Sequence, residues 1–197
     1  MFVPRGCKEK GCGRPALSGS DRCVVHHGDA AGHVQRLIAG TGGRIVLRDL
    51  DLTGIRLTDT NLSNAELSGC RFTAATFVGV TFRDAQISLT FLDRATFEHC
   101  DFTGATLQNA VYAGSELLDC TFCDCEVLQT NFLGIHGVGT SFDHSNLYGS
   151  RFVGSVLERV SMRDCNLTRA YFDQPHRDTV DFRSSNTNEA VYVEPLP

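Results

Sequence analysis

The sequence predicts an all-β solenoid, a chain wound into flat-sided coils, with a small cysteine-rich head in front of it. Three observations carry this. A large apolar residue stands at every fifth position from Leu47 to Phe172, a small residue precedes most of them by two places, and Gly, Asp or Asn dominates two places after. The chain has 197 residues, 42% apolar and 21% charged, with a formal net charge of −5. That composition is neither disordered nor collagen-like and suits one domain with a small appendage. No apolar run approaches the ~20 residues a membrane helix needs, so no membrane partner is expected. The start, MFVPRGCKEKGCG, carries no apolar stretch behind its charges, so a cytoplasmic location is expected as well.

The head, residues 1–28, comes first. Cys7, Cys12, Cys23 and His26 set four soft ligands within a short segment whose Gly, Pro and Ser suit tight loops. Tetrahedral zinc wants this ligand set in a segment too short to bury a core of its own. His27 is the alternative fourth ligand, because either neighbour could turn inward. The stretch CGRPALSGSDRCVVH also resembles small bacterial and phage zinc modules. A closed four-ligand site leaves no open coordination position, so the zinc is expected to be structural. Residues 1–44 hold seven Lys or Arg against three acids. Such a basic head suits either contact with nucleic acid or a solvated surface that docks on the solenoid.

Residues 29–44 read as a capping helix and linker. Asp29 is the expected N-cap, Val34, Leu37 and Ile38 share one face, and Gly40 is the expected stop. The first coil carries larger inner residues, Ile45, Leu50 and Ile55, which suits an open end for this helix to cover.

Residues 45–184 form the repeat region. A period of five fits neither a helix, whose apolar faces recur at 3.6, nor a strand, which alternates at two. It fits a chain that turns a corner every five residues and points one bulky and one small side chain inward per side. Of 26 bulky positions, Gly137 is the one exception, and Ile135 enlarges the small position beside it. Partial compensation of volume, or a local bulge over residues 134–139, is expected there. Cys70, Cys100, Cys120, Cys125 and Cys165 fall on the small inner register and read as core residues.

Segments such as TNLSNAELSGCRF and CDFTGATL resemble the pentapeptide-repeat family, whose motif reads A(D/N)Lxx. The resemblance implies a right-handed quadrilateral β-helix with twenty residues per coil. Sorting the sequence by twenty supports four sides independently. The column Leu62, Phe82, Phe102, Phe122, Phe142, Met162 and Phe182 is mostly Phe, whereas Leu47, Leu67, Ile87, Leu107, Val127, Leu147 and Leu167 contains no aromatic residue. Sorting by fifteen, as three sides would require, mixes both types in every column. Residues 185–197 read as a tail, with Phe182 and Tyr192 in phase and Pro175 and Thr187 breaking it, so a ragged last coil is expected.

Two surfaces stand out. Asp84, Asp101, Asp124, Asp143 and Asp164 run outward down the Phe-rich side. The family resemblance implies a use for them, because some members imitate the shape and charge of duplex DNA and bind DNA gyrase or related topoisomerases. Solubility is the other reading. The tail lacks the amphipathic pattern of the family's dimerising helix, so that mode of pairing is not expected. On another side, Phe91, Val111, Leu133 and Val153, with Tyr171 nearby, make an outward apolar strip that suits a protein partner or a homodimer. No nucleophile motif, phosphate loop or carboxylate pair is apparent, and His99, His136, His144 and His176 fall on isolated outward or turn positions. We therefore expect neither catalysis nor a small-molecule substrate.

Overall fold

The structure, a computed structural model, describes residues 5–39 and 44–194, apart from the side chains of 177 and 178. It is a quadrilateral β-helix of about seven coils with a short helix at its amino-terminal end. Every fifth residue from Asp49 to Arg169 has a positive φ, from 46° at Asp59 to 73° at Gly104. A single left-handed residue per side is what turns each corner, and this explains the Gly, Asp and Asn that recur there. Leu89, Arg94, His99 and Arg159 adopt the same conformation because the stacked coils on either side over-determine it.

The register is constant. Strands Val46–Arg48, Glu66–Ser68, Gln86–Ser88, Thr106–Gln108 and Glu126–Leu128 form one parallel sheet. A second parallel sheet runs from Arg56–Thr58 to Val156–Glu158. The other two sides pair through isolated bridges such as Phe91↔Val111 and Asp101↔Thr121. Each partner lies twenty residues on, so the coil has four sides.

Inside, equal positions stack. Phe82, Phe102, Phe122 and Phe142 lie at successive centroid distances of 4.5, 4.3 and 4.9 Å, nearly parallel. Rings of adjacent columns meet edge-on, as Phe122 and Phe132 do at 87°. Both arrangements suit the quadrupole of the ring. Polar members of the small register beyond the first coil are buried because they donate to the carbonyl of a bulky residue one coil earlier. Ser145 Oγ reaches the Phe122 oxygen at 2.6 Å and Cys125 Sγ the Phe102 oxygen at 3.0 Å. Their burial is thus not penalised by lost hydrogen bonds. It also pushes the thiols up, Cys70 and Cys165 to about 11 and Cys125 to about 12.

Gly137 sits in a regular strand, in register with Leu117 and Leu157, so no bulge forms. A Cβ there would lie 3.2 Å from Leu157 Cδ2 and 3.5 Å from Val160 Cγ2. Volume is made up by side chains of the following coil.

At the amino-terminal end, α1 (Ala30–Ala39) lids the first coil. Asp29 Oδ1 accepts the Gly32 N–H at 2.9 Å, Val34 is fully buried, and Leu37 and Ile38 pack on the same core. The expected stop, Gly40, lies outside the described residues. At the other end Val191–Val193 pairs with Tyr171–Asp173, again twenty residues away. Between them the chain makes a four-residue helix, His176–Thr179, and a 3₁₀ turn, Thr187–Glu189. His176 is not outward, as its position suggested. Pro175 starts the helical turn that folds the imidazole inward, where Nε2 meets the Ser155 carbonyl at 3.0 Å and the ring packs edge-on against Phe172. Among the described residues no helix is long and apolar enough to cross a membrane.

Candidate metal centre and interaction surfaces

The head is built by short backbone turns. An antiparallel bridge joins Gly6 and Pro15, and the Cys7 N–H donates to the Arg14 carbonyl at 3.0 Å. The Cys12 N–H reaches the Glu9 carbonyl, and the His26 N–H reaches the Cys23 carbonyl, both at 3.0 Å. These turns bring Cys7, Cys12, Cys23 and His26 together, with all four ligand atoms within 4.8 Å of one another. The Cys12 and Cys23 sulfurs are 3.8 Å apart, and His26 Nδ1 is 3.4 Å from Cys7 Sγ and 3.5 Å from Cys23 Sγ. Bond lengths of about 2.3 Å to sulfur and about 2.0 Å to nitrogen give a tetrahedron with edges of about 3.8 and about 3.5 Å. The donor set therefore fits such a metal. Of the two histidines the turn selects His26, while His27 lies against His33 at 4.7 Å between ring centroids.

The electrostatics point the same way. The Cys23 and Glu9 backbone groups hydrogen-bond the Cys7 sulfur and hold its thiol down to about 6. Cys12 is raised instead, because the help of the Arg14 backbone is outweighed by desolvation and by the Cys23 and Cys7 sulfurs beside it. Three sulfurs so close cannot all ionise without a cation among them. The head rests on the first coil, where the Ser18 N–H donates to the Asp51 carbonyl at 3.0 Å and Ser18 Oγ accepts the Asp51 N–H at 2.8 Å. Two of its cations are engaged internally, Lys8 with Asp21 and Arg22 with Glu9.

The acidic side is less uniform than its sequence suggested. Asp84, Asp124 and Asp164 are exposed on one corner, two coils apart from each other. Asp101 is half-buried and paired with Arg83 at 2.9 Å. Its carboxyl is held low: burial would raise it, but the Thr103 hydroxyl and N–H and the Arg83 guanidinium more than compensate. Asp143 is not an outward charge at all. It is buried at 5% exposure, because the Arg163 guanidinium and the Ser161 hydroxyl of the next coil fold over it.

The opposite side carries the apolar strip. Phe91 is 45% exposed, and Val111, Ala113, Leu133, Val153 and Tyr171 are half-buried around it. Leu89, 61% exposed at the adjoining corner, was not singled out from sequence, nor were two arginines assigned to this strip. Arg71 lies over the Phe91 ring at 5.9 Å and Arg151 over the Tyr171 ring at 5.4 Å. The twenty-residue spacing of Arg71 to Phe91 and of Arg151 to Tyr171 was the available signal. Acids on this side are withdrawn: Asp51 and Asp173 are buried, and Asp93 accepts from the Thr73 hydroxyl at 2.7 Å. Arg71 lies 3.9 Å from Asp51 and Arg94 3.2 Å from Asp93, and in both pairs the guanidinium is the more exposed member, so the cations of this side face solvent more than its acids do.

Set beside known proteins, the chain matches a family model described as pentapeptide repeats, in eight copies over residues 51–88, 82–111, 92–126 and 138–174. No curated protein matches it. Among solved structures it is similar to a trypsin-treated variant of QnrB1, a plasmid-mediated fluoroquinolone resistance protein, at 18% identity over 71% of this chain and 79% of that one, with a TM-score of 0.40. HetL, a pentapeptide repeat protein involved in heterocyst differentiation regulation in the cyanobacterium Nostoc sp. strain PCC 7120, matches at 15% identity over 84% of this chain and 97% of that one, with a TM-score of 0.24. Rfr23 from the cyanobacterium Cyanothece 51142 matches at 12% identity over 82% and 98%, with a TM-score of 0.23.

Proposed function

The chain belongs to the pentapeptide-repeat family, and from that premise we propose that it is a non-enzymatic recognition protein whose apolar, cationic side binds a protein partner. The exposure of Leu89 and Phe91 beside two ring-stacked arginines carries this reading. Aromatic and Arg side chains in a desolvated patch are the usual anchors of protein interfaces. Residues 1–28 act as a zinc module in which Cys7, Cys12, Cys23 and His26 hold the ion, and residues 29–44 link it to the solenoid of 45–184. Bound by these four residues, a zinc ion would keep no open position for reaction and would tie Cys7 and Cys12 to Cys23 and His26, in the segment that rests on the first coil.

The test is a photo-crosslinking amino acid placed at Phe91 in cells, with Gln108 on a neighbouring side as control. An adduct at Phe91 and none at Gln108 is the expected result. Absence of any adduct at Phe91 overturns the reading.

A second reading rests on the three exposed carboxylates of Asp84, Asp124 and Asp164 together with the family resemblance. In it, the acidic side stands in for DNA and modulates or protects DNA gyrase or a related topoisomerase. The ion pairs of Asp101 and Asp143 weigh against it, since they cancel part of the field. A supercoiling assay decides: inhibition, or rescue from a gyrase poison, that is lost when all three acids become Asn supports it. No effect at micromolar protein removes it.

A further inference from the structure

Resting on the reading of the apolar side as a recognition surface, we infer that its occupant is a second copy of this chain, packed antiparallel about a two-fold axis perpendicular to the solenoid. The outermost column of that side runs Arg71, Phe91, Val111, Asn131, Arg151 and Tyr171, linked coil to coil by parallel bridges. Successive members are about 4.8 Å apart.

Reversing this column about an axis between Val111 and Asn131 makes it complementary to itself. Arg71 then faces Tyr171 of the partner subunit, Phe91 faces Arg151 of the partner subunit, and Val111 faces Asn131 of the partner subunit. Each cation meets a ring and each ring a cation, extending the stacks already present within the chain at 5.9 and 5.4 Å. In the adjoining column the small Ala113 faces the larger Leu133 of the partner subunit, so a knob meets a gap.

Neighbouring registers fail. With the axis through Val111, Arg71 faces Arg151 of the partner subunit, a like-charge contact. With the axis through Asn131, Val111 faces Arg151 of the partner subunit, and the rings of Phe91 and Tyr171 meet without a cation from across the interface. A parallel side-by-side arrangement sets like residues against like, and any offset one leaves an open chain of copies rather than a closed dimer. The acids of this side do not oppose the approach, because Asp173 is buried and accepts the Gly154 N–H at 2.7 Å, while Asp93 is bonded to Thr73 and Arg94.

The contact is narrow and spans six coils, about 24 Å, so it lies below the size of stable interfaces and belongs to the weak, transient class. The dimer should accordingly form only at roughly tens to hundreds of micromolar, the range of weak contacts, and dissociate on dilution.

Sedimentation equilibrium of the full, metal-loaded chain across that range tests this. A monomer–dimer equilibrium is expected. Phe91→Arg sets cation against cation at two symmetric contacts and should weaken the dimer by about tenfold or more. Adding Arg151→Glu to that variant should restore it. Leu133→Asp, at an independent contact, should also abolish association, and circular dichroism checks that each variant keeps its fold. A monomer at every concentration overturns the proposal, as does a dimer indifferent to Phe91→Arg or a loss that Arg151→Glu fails to repair. A monomer whose Phe91 position still crosslinks to a foreign protein would overturn self-pairing and leave the recognition surface standing.

Discussion

Asp143 and Arg163 meet across one coil: the Arg163 backbone N–H donates to Asp143 Oδ1 and its Nε to Oδ2, both at 2.9 Å, with the carboxylate buried beneath the guanidinium. Burial alone would raise this acid, yet the Arg163 and Ser161 hydrogen bonds bring it below the usual range. A carboxyl depressed in the folded state stabilises above the unfolded pKa, and that contribution is lost as pH falls through the folded value. Asp143→Asn should therefore lower the unfolding free energy by about 1–2 kcal/mol at neutral pH, the guanidinium being half in solvent. The gap between variant and parent should close as the pH drops below about 4, as urea unfolding at several pH values would show.

Tyr112 is fully buried in a column of rings, and its hydroxyl has no hydrogen-bond partner among the described residues. Burial keeps its phenol protonated far above the ordinary range. Removing an unpaired buried hydroxyl without changing the ring should relieve a desolvation penalty. We expect Tyr112→Phe to raise stability by about 1 kcal/mol, read as a higher thermal midpoint. A loss of stability would reveal a partner for that oxygen.

Leu89 has a φ of 50° and is 61% exposed. A Leu in this conformation is strained and gains little from burial. Leu89→Asn should stabilise the monomer by about 1 kcal/mol, measured by denaturation of the dilute protein.

The thiols divide by surroundings. Cys70, Cys125 and Cys165 are buried with raised pKa values, and thiolate rather than thiol is the nucleophile. Cys123 is half-buried. A thiol reagent on the native, metal-loaded protein should thus label Cys123 ahead of the rest. Elemental analysis should find one zinc per chain, lost in Cys23→Ser and retained in Cys70→Ser. With the metal goes the cover of the first coil, so amide exchange around Leu50 to Ile55 should rise in Cys23→Ser.

Much of this architecture was legible because a solenoid writes its geometry locally. The corner residue needs φ > 0, so Gly, Asp and Asn announce most of the fifth positions, and the columns differ enough to fix twenty as the coil length. The lid helix was legible for the same reason, since Asp29 caps the Gly32 N–H within the first turn and the apolar spacing of Val34, Leu37 and Ile38 marks one face. What failed depended on contacts between coils. Asp143 occupies a position that points outward in the repeat, and only Arg163 and Ser161, twenty and eighteen residues on, decide that it is covered. Asp51 and Arg71 show the same spacing. At the head the sequence named His26 with His27 as the alternative, and the turn from Cys23 places the His26 ring against the sulfurs.

The amide ladder on the side of the Leu47 column had the same hidden signal. Asn186 Nδ2 donates to Asn166 at 3.2 Å, Asn166 to Asn146 at 3.0 Å, and Asn146 to Glu126 at 2.8 Å. Each step is one coil. The ladder engages one amide N–H per coil along an exposed face, side by side with the backbone pairing of the same coils.

The most direct test of the account compares hydroxyl-radical footprints of Leu89 and Phe91 in cells with those of the dilute purified protein. The recognition-surface reading predicts heavy oxidation of both in the dilute protein and marked protection in cells, with exposed Val156 on another side oxidised alike in both. Equal oxidation of Leu89 and Phe91 under the two conditions would contradict it.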